Sequence, residues 1–251
     1  MRAIPQLLRA DLSRKFLAGS LCALLLSITL PAEAGYQPPK QRSTPRRSGI
    51  VTGRRGCPGV GDFMPALAPQ AYVGQTTSAR PTFAWFVPET SPKEIKFVLS
   101  ELTSNGERIV HRATMQSTSG LMQYTLPQNQ EALQTGQRYR WRTTLFCDPR
   151  SPSKYLRAEA EIEIVEMPST LRQQLSTVQN DLQRAKIFAE SGLWYDAFGT
   201  ALTVQNPSAK ALQLELLQNL TMTETAIRQD GTDNRFIEQL RQVMATWDRR
   251  S

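Results

Sequence analysis

Histidine is almost missing from this 251-residue chain: His111 is the only one, and cysteine is limited to three positions. Histidine-based acid–base catalysis and nitrogen–sulfur metal sites both draw on these residues, so the scarcity weighs against each. No G-x-S-x-G elbow, H-E-x-x-H pair, phosphate loop or Asp-rich calcium loop occurs. Aromatics make up 8% of the chain, and past Leu30 no apolar run approaches the roughly 20 residues of a membrane span. Between Gly35 and Arg55 there is no acidic residue at all.

At the N-terminus Arg2, Arg9, Arg14 and Lys15 precede an apolar run from Phe16 to Leu30, and Ala32-Glu33-Ala34 follows. A basic start, a short apolar stretch and an A-x-A site predict a secretory leader over 1–34, cleaved after Ala34. The run is about 15 residues long and carries Ser20, Ser27 and Thr29, too short and too polar for an anchor. The expected location is therefore periplasmic or extracellular, with no transmembrane helix after cleavage. Cys22 leaves with the leader, and Cys57 and Cys147 remain in an oxidising compartment, where one disulfide is the default. It would close a loop of about 90 residues, worth roughly 4–5 kcal/mol in the chain-entropy model. A zinc site would need two further ligands, and two free thiols would be unusual outside the cytosol.

The net charge of +8 comes from 30 basic and 22 acidic residues. The leader takes four basic and two acidic residues, and 35–55 takes six basic residues, leaving 20 against 20 from Gly56 onward. The basicity thus belongs to residues 35–55 (GYQPPKQRSTPRRSGIVTGRR), which read as a disordered basic linker with little to bury. Such an arm suits an anionic polysaccharide or lipid surface, or serves as a solubilising spacer. Nucleic acid is not expected after export, and no aromatics are interleaved with the arginines.

Residues 56–167 read as strands. Arg80–Pro88 is a short strand between two prolines, as suits an edge. Ile95–Leu102 and Glu107–Met115 flank Ser104-Asn-Gly106, a hairpin signal that needs a bulge or longer loop to keep both faces in phase. Gly120–Leu126 follows. Gly136–Cys147 then alternates Tyr139, Trp141, Thr143 and Leu145 with Arg138, Arg140, Arg142 and Thr144. Pairing Cys147 with Lys154 across the loop sets Arg142 against Glu159, Arg140 against Glu161 and Arg138 against Glu163. Trp141 then meets Ala160, Tyr139 meets Ile162, and Leu145 meets Leu156. Three opposite charges share one face and the apolar pairs the other, whereas a slip of one would put Trp141 against glutamate. Leu133-Gln-Thr-Gly136-Gln-Arg-Tyr139 resembles the tyrosine corner of immunoglobulin-like sandwiches, in which the tyrosine bonds back to the preceding chain.

From Pro168 the period becomes helical. Leu171, Leu175, Val178, Leu182, Ala185 and Phe188 form one stripe, with Ser169 or Thr170 as cap, until Gly192 breaks it. Leu193–Gln205 resumes, Asn206-Pro207 opens another helix, and Phe236, Ile237, Leu240, Val243, Met244 and Trp247 make a final amphipathic stripe. That stripe is core or a partner-binding face. Ala185…Gly192-Leu-Trp-Tyr-Asp-Ala197…Pro207 is similar to one tetratricopeptide-type hairpin. The expected architecture is α+β: an immunoglobulin-like antiparallel β-sandwich over 56–167, followed by a small helical, tetratricopeptide-like hairpin region over 168–251.

Taken together, Arg55-Gly-Cys57-Pro58, Leu67-Ala-Pro69, Gly74-Gln-Thr-Thr77 and Arg80-Pro-Thr-Phe83 precede Gly136-Gln-Arg-Tyr-Arg-Trp141, Cys147-Asp-Pro149 and Gly192-Leu-Trp-Tyr-Asp-Ala197. This series resembles the domain of unknown function 928 family, exported proteins found chiefly in cyanobacteria. The resemblance implies an exported β-sandwich with a helical C-terminal part and the two motif cysteines bridged. It implies no activity, cofactor or catalytic residue.

No catalytic, metal or cofactor residue is therefore assigned. His111 falls among ordinary surface residues of a strand. Glu159, Glu161 and Glu163, the best carboxylates for glycoside hydrolysis, are accounted for by their arginines. Asp196 suits a helix-end or tyrosine contact, and Trp85 and Trp141 suit the core, with a sugar-stacking surface as the other reading. The expected function is a non-enzymatic interaction or accessory protein of the cell envelope, with a protein partner. The alternatives are a surface binder held by its 35–55 arm and, third, a carboxylate hydrolase.

Overall fold

The structure is a computed structural model, and it describes residues 35–46, 57, 63–88, 91–148, 150–228 and 234–248. The leader over 1–34 and the end of the basic arm lie outside the described residues. Among the described residues seven strands come first: β1 (Gly74–Thr76), β2 (Thr82–Val87), β3 (Glu94–Thr103), β4 (Gly106–Gln116), β5 (Gly120–Thr125), β6 (Arg138–Phe146) and β7 (Tyr155–Ile164). Helices follow over the rest of the described residues: α1 (Ser169–Ser176), α2 (Asp181–Glu190), α3 (Trp194–Thr203), α4 (Pro207–Ile227) and α5 (Arg235–Asp248). One sheet has the order β1-β7-β6-β3-β4 and the other pairs β2 with β5. β1 runs parallel to β7 while the remaining pairs are antiparallel, so the five-stranded sheet is mixed and not the purely antiparallel one expected. Three residues are too few to show a period of two, so β1 left no mark in the sequence.

The β6–β7 ladder has the register that charge and apolar matching require: Arg138 faces Glu163, Trp141 faces Ala160, and Leu145 faces Leu156. In the β3–β4 hairpin the two turn residues are Ser104 and Asn105, one earlier than Asn-Gly suggested, and Gly106 takes φ +124°. The register then shifts between Leu99 and Ser100, which places Val110 as the extra residue of a bulge. β2 is not a bare edge. Leu67 donates to the Ala84 carbonyl (2.9 Å) and Phe86 to that of Pro65 (3.1 Å), so 65–67 covers the side away from β5. Rings from the two sheets meet in the core, Phe83 lying 5.2 Å from Phe97 and 5.6 Å from Trp141. Tyr139 accepts a hydrogen bond from the Gln134 N–H (3.1 Å), bonding back to the preceding chain as the motif suggested.

The helical stripe from Leu171 to Phe188 is broken at 177–180. Asn180 accepts from the N–H groups of Leu182 (2.9 Å) and Gln183 (3.2 Å) and starts α2 afresh. The apolar spacing passed through the break because Val178 and Leu182 kept phase, while the carboxamide competed locally for the backbone. Neither Ser169 nor Thr170 caps α1, which begins after Pro168. Asn206 caps α4 through the Ala209 N–H (2.8 Å), with Pro207 at its first position. The final stripe goes to the core: Phe236, Ile237, Leu240 and Val243 on α5 are buried. Strand and helix residues from Tyr36 to Val243 belong to one hydrophobic cluster. Among the described residues no helix is long and apolar enough to cross a membrane.

Residues 35–46 depart from the disordered linker expected of them. They form an ordered strap anchored by Tyr36, which is buried edge-on against Trp194 (5.0 Å) and accepts from the Tyr72 hydroxyl (2.9 Å). Gln37 donates to the Ala189 carbonyl (3.1 Å), Val73 donates to that of Ser43 (2.9 Å), and the Arg46 guanidinium donates to that of Thr103 (2.7 Å). Averaged composition hides an anchor made by one aromatic ring and a few backbone bonds.

Candidate functional site

The segment Gly192–Ala197 forms the joint between helices and sheets. Gly192 turns the chain with φ +78°, and a Cβ there would lie 3.1 Å from the Gln37 carbonyl oxygen. The next residues then reach into the strands. Trp194 donates from Nε1 to the Leu67 carbonyl (2.9 Å). The Tyr195 hydroxyl accepts from Trp141 Nε1 (2.9 Å) and donates to the Glu161 carbonyl (3.1 Å). Asp196 accepts from the Thr77 N–H (2.9 Å) and hydroxyl (3.0 Å). Gly74 faces the Tyr195 ring so closely that a Cβ would stand 2.7 Å from it. A second carboxylate, Glu224 of α4, takes the N–H groups of Gln70 (2.7 Å) and Ala71 (2.9 Å) and the Arg228 guanidinium (3.1 Å). Burial pushes Asp196, Glu224 and Tyr195 above their ordinary pKa ranges, against the pull of these hydrogen bonds.

All six ladder residues are brought together. Arg138 meets Glu163 at 3.3 Å, Arg142 meets Glu159 at 2.9 Å, and Arg140 pairs with Glu161. The middle pair is not at the surface: Arg140 is 3% exposed and Glu161 4%. The strap contributes here, since the Arg46 N–H donates to Glu161 Oε1 (3.0 Å). A buried ion pair needs such extra partners to offset desolvation. Sequence reading missed Glu107 of β4, whose carboxylate bonds both Arg140 and Arg142. The side-chain hydrogen bond from Arg142 comes first among the influences that hold Glu107 below the usual carboxylate range. Its spacing was obscured by the bulge at Val110, which lies between Glu107 and the regular part of its strand.

Cys57 and Cys147 form a disulfide with Cα atoms 5.3 Å apart. Trp85 and Trp141 are fully buried, which places them in the core. His111 is half-buried, unlike the surface residue expected. Its Nε2 lies 2.6 Å from the Tyr124 hydroxyl and its Nδ1 3.0 Å from Gln130 Oε1, because the inward face of β4 packs on β5. Among the described residues no three His, Cys, Asp or Glu side chains come together as a metal site would require.

An open groove of about 510 Å³ runs beside the joint, between the start of β2 and the α2–α3 pair. Arg80, Thr82, Arg184, Thr200 and Thr203 line it, together with the buried Tyr195 and Asp196 of the joint. It is a concave, mixed-polarity surface carried by the start of β2 and by α2 and α3. None of its lining residues stood out in the sequence as a group, since they come from segments some 100 residues apart.

The geometry defines a disulfide-bonded α+β protein in which a mixed sheet and a helical pair are pinned by hydrogen bonds from one short segment. Residues 48–229 match the model of the family described as Domain of Unknown Function (DUF928), and the chain belongs to that family. A comparison with curated proteins finds no match. The motifs that carry the family resemblance (Leu67, Gly74, Thr77, Trp141 and Gly192–Ala197) meet at the joint, which gives them a shared structural reason.

Proposed function

We propose that the protein is an exported, non-catalytic binding module whose groove beside the joint holds an extended segment of a protein partner in the envelope. In this reading the strand part is an immunoglobulin-like sandwich and α2–α3 a tetratricopeptide-like hairpin. The groove is the observation that carries it: an open concavity of about 510 Å³ between the start of β2 and the α2–α3 pair. The binding reading is further supported by the carboxylates, which are already engaged. Glu159, Glu161 and Glu163 serve the ladder, Asp196 holds Thr77, and Glu224 holds Gln70 and Ala71. Export is supported by the leader-like N-terminus and the disulfide.

Thr200→Trp tests the groove. Thr200 is half-exposed on α3, so a larger side chain fills the groove without entering the core. The variant is expected to melt like wild type while losing the larger complex that wild type forms in native envelope extracts. An unchanged complex would refute the reading. A second reading, attachment through the arm, is supported by the exposed side chains of Lys40 and Arg42 on the strap. Lys40→Ala with Arg42→Ala would then release the protein from the envelope at low ionic strength.

A further inference from the structure

Beyond the ladder, the outer face of the five-stranded sheet carries a second and different pattern. Opposite residues in a sheet share a face, so Thr114, Lys96, Thr144 and Arg157 form one row across β4, β3, β6 and β7. Three inter-strand spacings make that row about 14 Å long. Two residues along β6 and β7, Phe146 and Tyr155 face each other directly on the same side. Both rings are half-buried, and each has a cation over its face: Lys96 Nζ lies 5.1 Å from the Phe146 centroid and the Arg157 guanidinium 4.8 Å from that of Tyr155. On the other side of the row Arg112 is exposed.

The charges on this patch are less satisfied than those of the ladder. Among the described residues neither Arg112 nor Arg157 makes an ion pair, and Arg157 Nε is buried with no hydrogen-bond partner. Lys96 meets only the exposed Glu94, at 3.4 Å. Ladder carboxylates do not compensate, because Glu107, Glu159, Glu161 and Glu163 are each bound by Arg138, Arg140 or Arg142. A membrane surface would be gripped by projecting apolar side chains. The exposed large apolar residues among the described ones are Ile109, Met222 and Ile227, and none lies in these rows.

From this we infer that the Phe146–Tyr155 face is a docking surface for an acidic polysaccharide chain, its uronate carboxylates meeting Lys96, Arg112 and Arg157 while the two rings hold Lys96 and Arg157 in place beneath it. Threonine hydroxyls in the same row supply hydrogen bonds to ring hydroxyls. The row is longer than one sugar, so it suits a chain. The inference is independent of the groove, which lies at the joint.

The protein, produced with its own leader and recovered with its disulfide intact, is titrated with polygalacturonate, with neutral dextran and with anionic lipid vesicles. Wild type is expected to bind polygalacturonate, weakening steeply with salt, and to ignore dextran. Lys96→Glu with Arg112→Glu, both at exposed positions, should weaken binding at least tenfold with an unchanged melting temperature. Tyr155→Leu should weaken it severalfold while leaving the salt dependence in place, and Lys40→Ala with Arg42→Ala should leave it intact. The inference is overturned if the double charge reversal binds as wild type does, if binding follows the Lys40 and Arg42 changes, or if vesicles bind and polygalacturonate does not.

Discussion

Asp196 and Glu224 do the same job in two places: a helix carboxylate takes N–H groups from a loop that has no strand partner there. Each is buried, and burial raises its pKa in the folded state. A raised carboxylate contributes its stability fully below the unfolded value, about 3.9 for aspartate, and loses it as pH rises through the folded value. Asp196→Asn keeps an acceptor for Thr77 and removes the titration. The melting temperature of Asp196→Asn relative to wild type should therefore climb between pH 4 and pH 7, and a constant difference would contradict the assignment. Trp141 belongs to the same joint, fully buried and bonded to Tyr195. Trp141→Ala should cost about 3–5 kcal/mol in denaturant unfolding as a core truncation. A near-neutral result would return Trp141 to the surface.

Among the elements, the β6–β7 pair was the most readable, because Arg138, Arg140 and Arg142 had one register in which three glutamates faced them and Trp141 did not. Helices were readable in phase but not in continuity, since Asn180 interrupts a stripe whose apolar spacing continues. β1 was invisible at three residues, and the strap was misread because its order rests on Tyr36 alone among the aromatics. The groove could not be read at all: its walls join near Arg80 and near Thr200 only through folding. The strap makes a direct prediction. Tyr36→Ala removes the ring that Trp194 and Tyr72 hold, so limited proteolysis should cut within 37–46 much faster than in wild type. Equal cleavage rates would mean that the backbone bonds of the strap suffice without the ring.

The described residues form one compact unit in which helices and strands share a core, and the groove lies beside the joint that links them. Asp196 and Glu224 hold the loops at the joint, and Glu107, Glu159, Glu161 and Glu163 hold the arginine ladder; under the proposed function, recognition falls to the surface beside them. The most direct test places a photo-crosslinking residue at Thr203, exposed on the groove, and for comparison at Gln218, exposed on α4 away from it. In producing cells Thr203 should give a discrete protein adduct that Thr200→Trp abolishes, and Gln218 should give none. An adduct that forms equally at both positions, or persists in Thr200→Trp, would contradict the account.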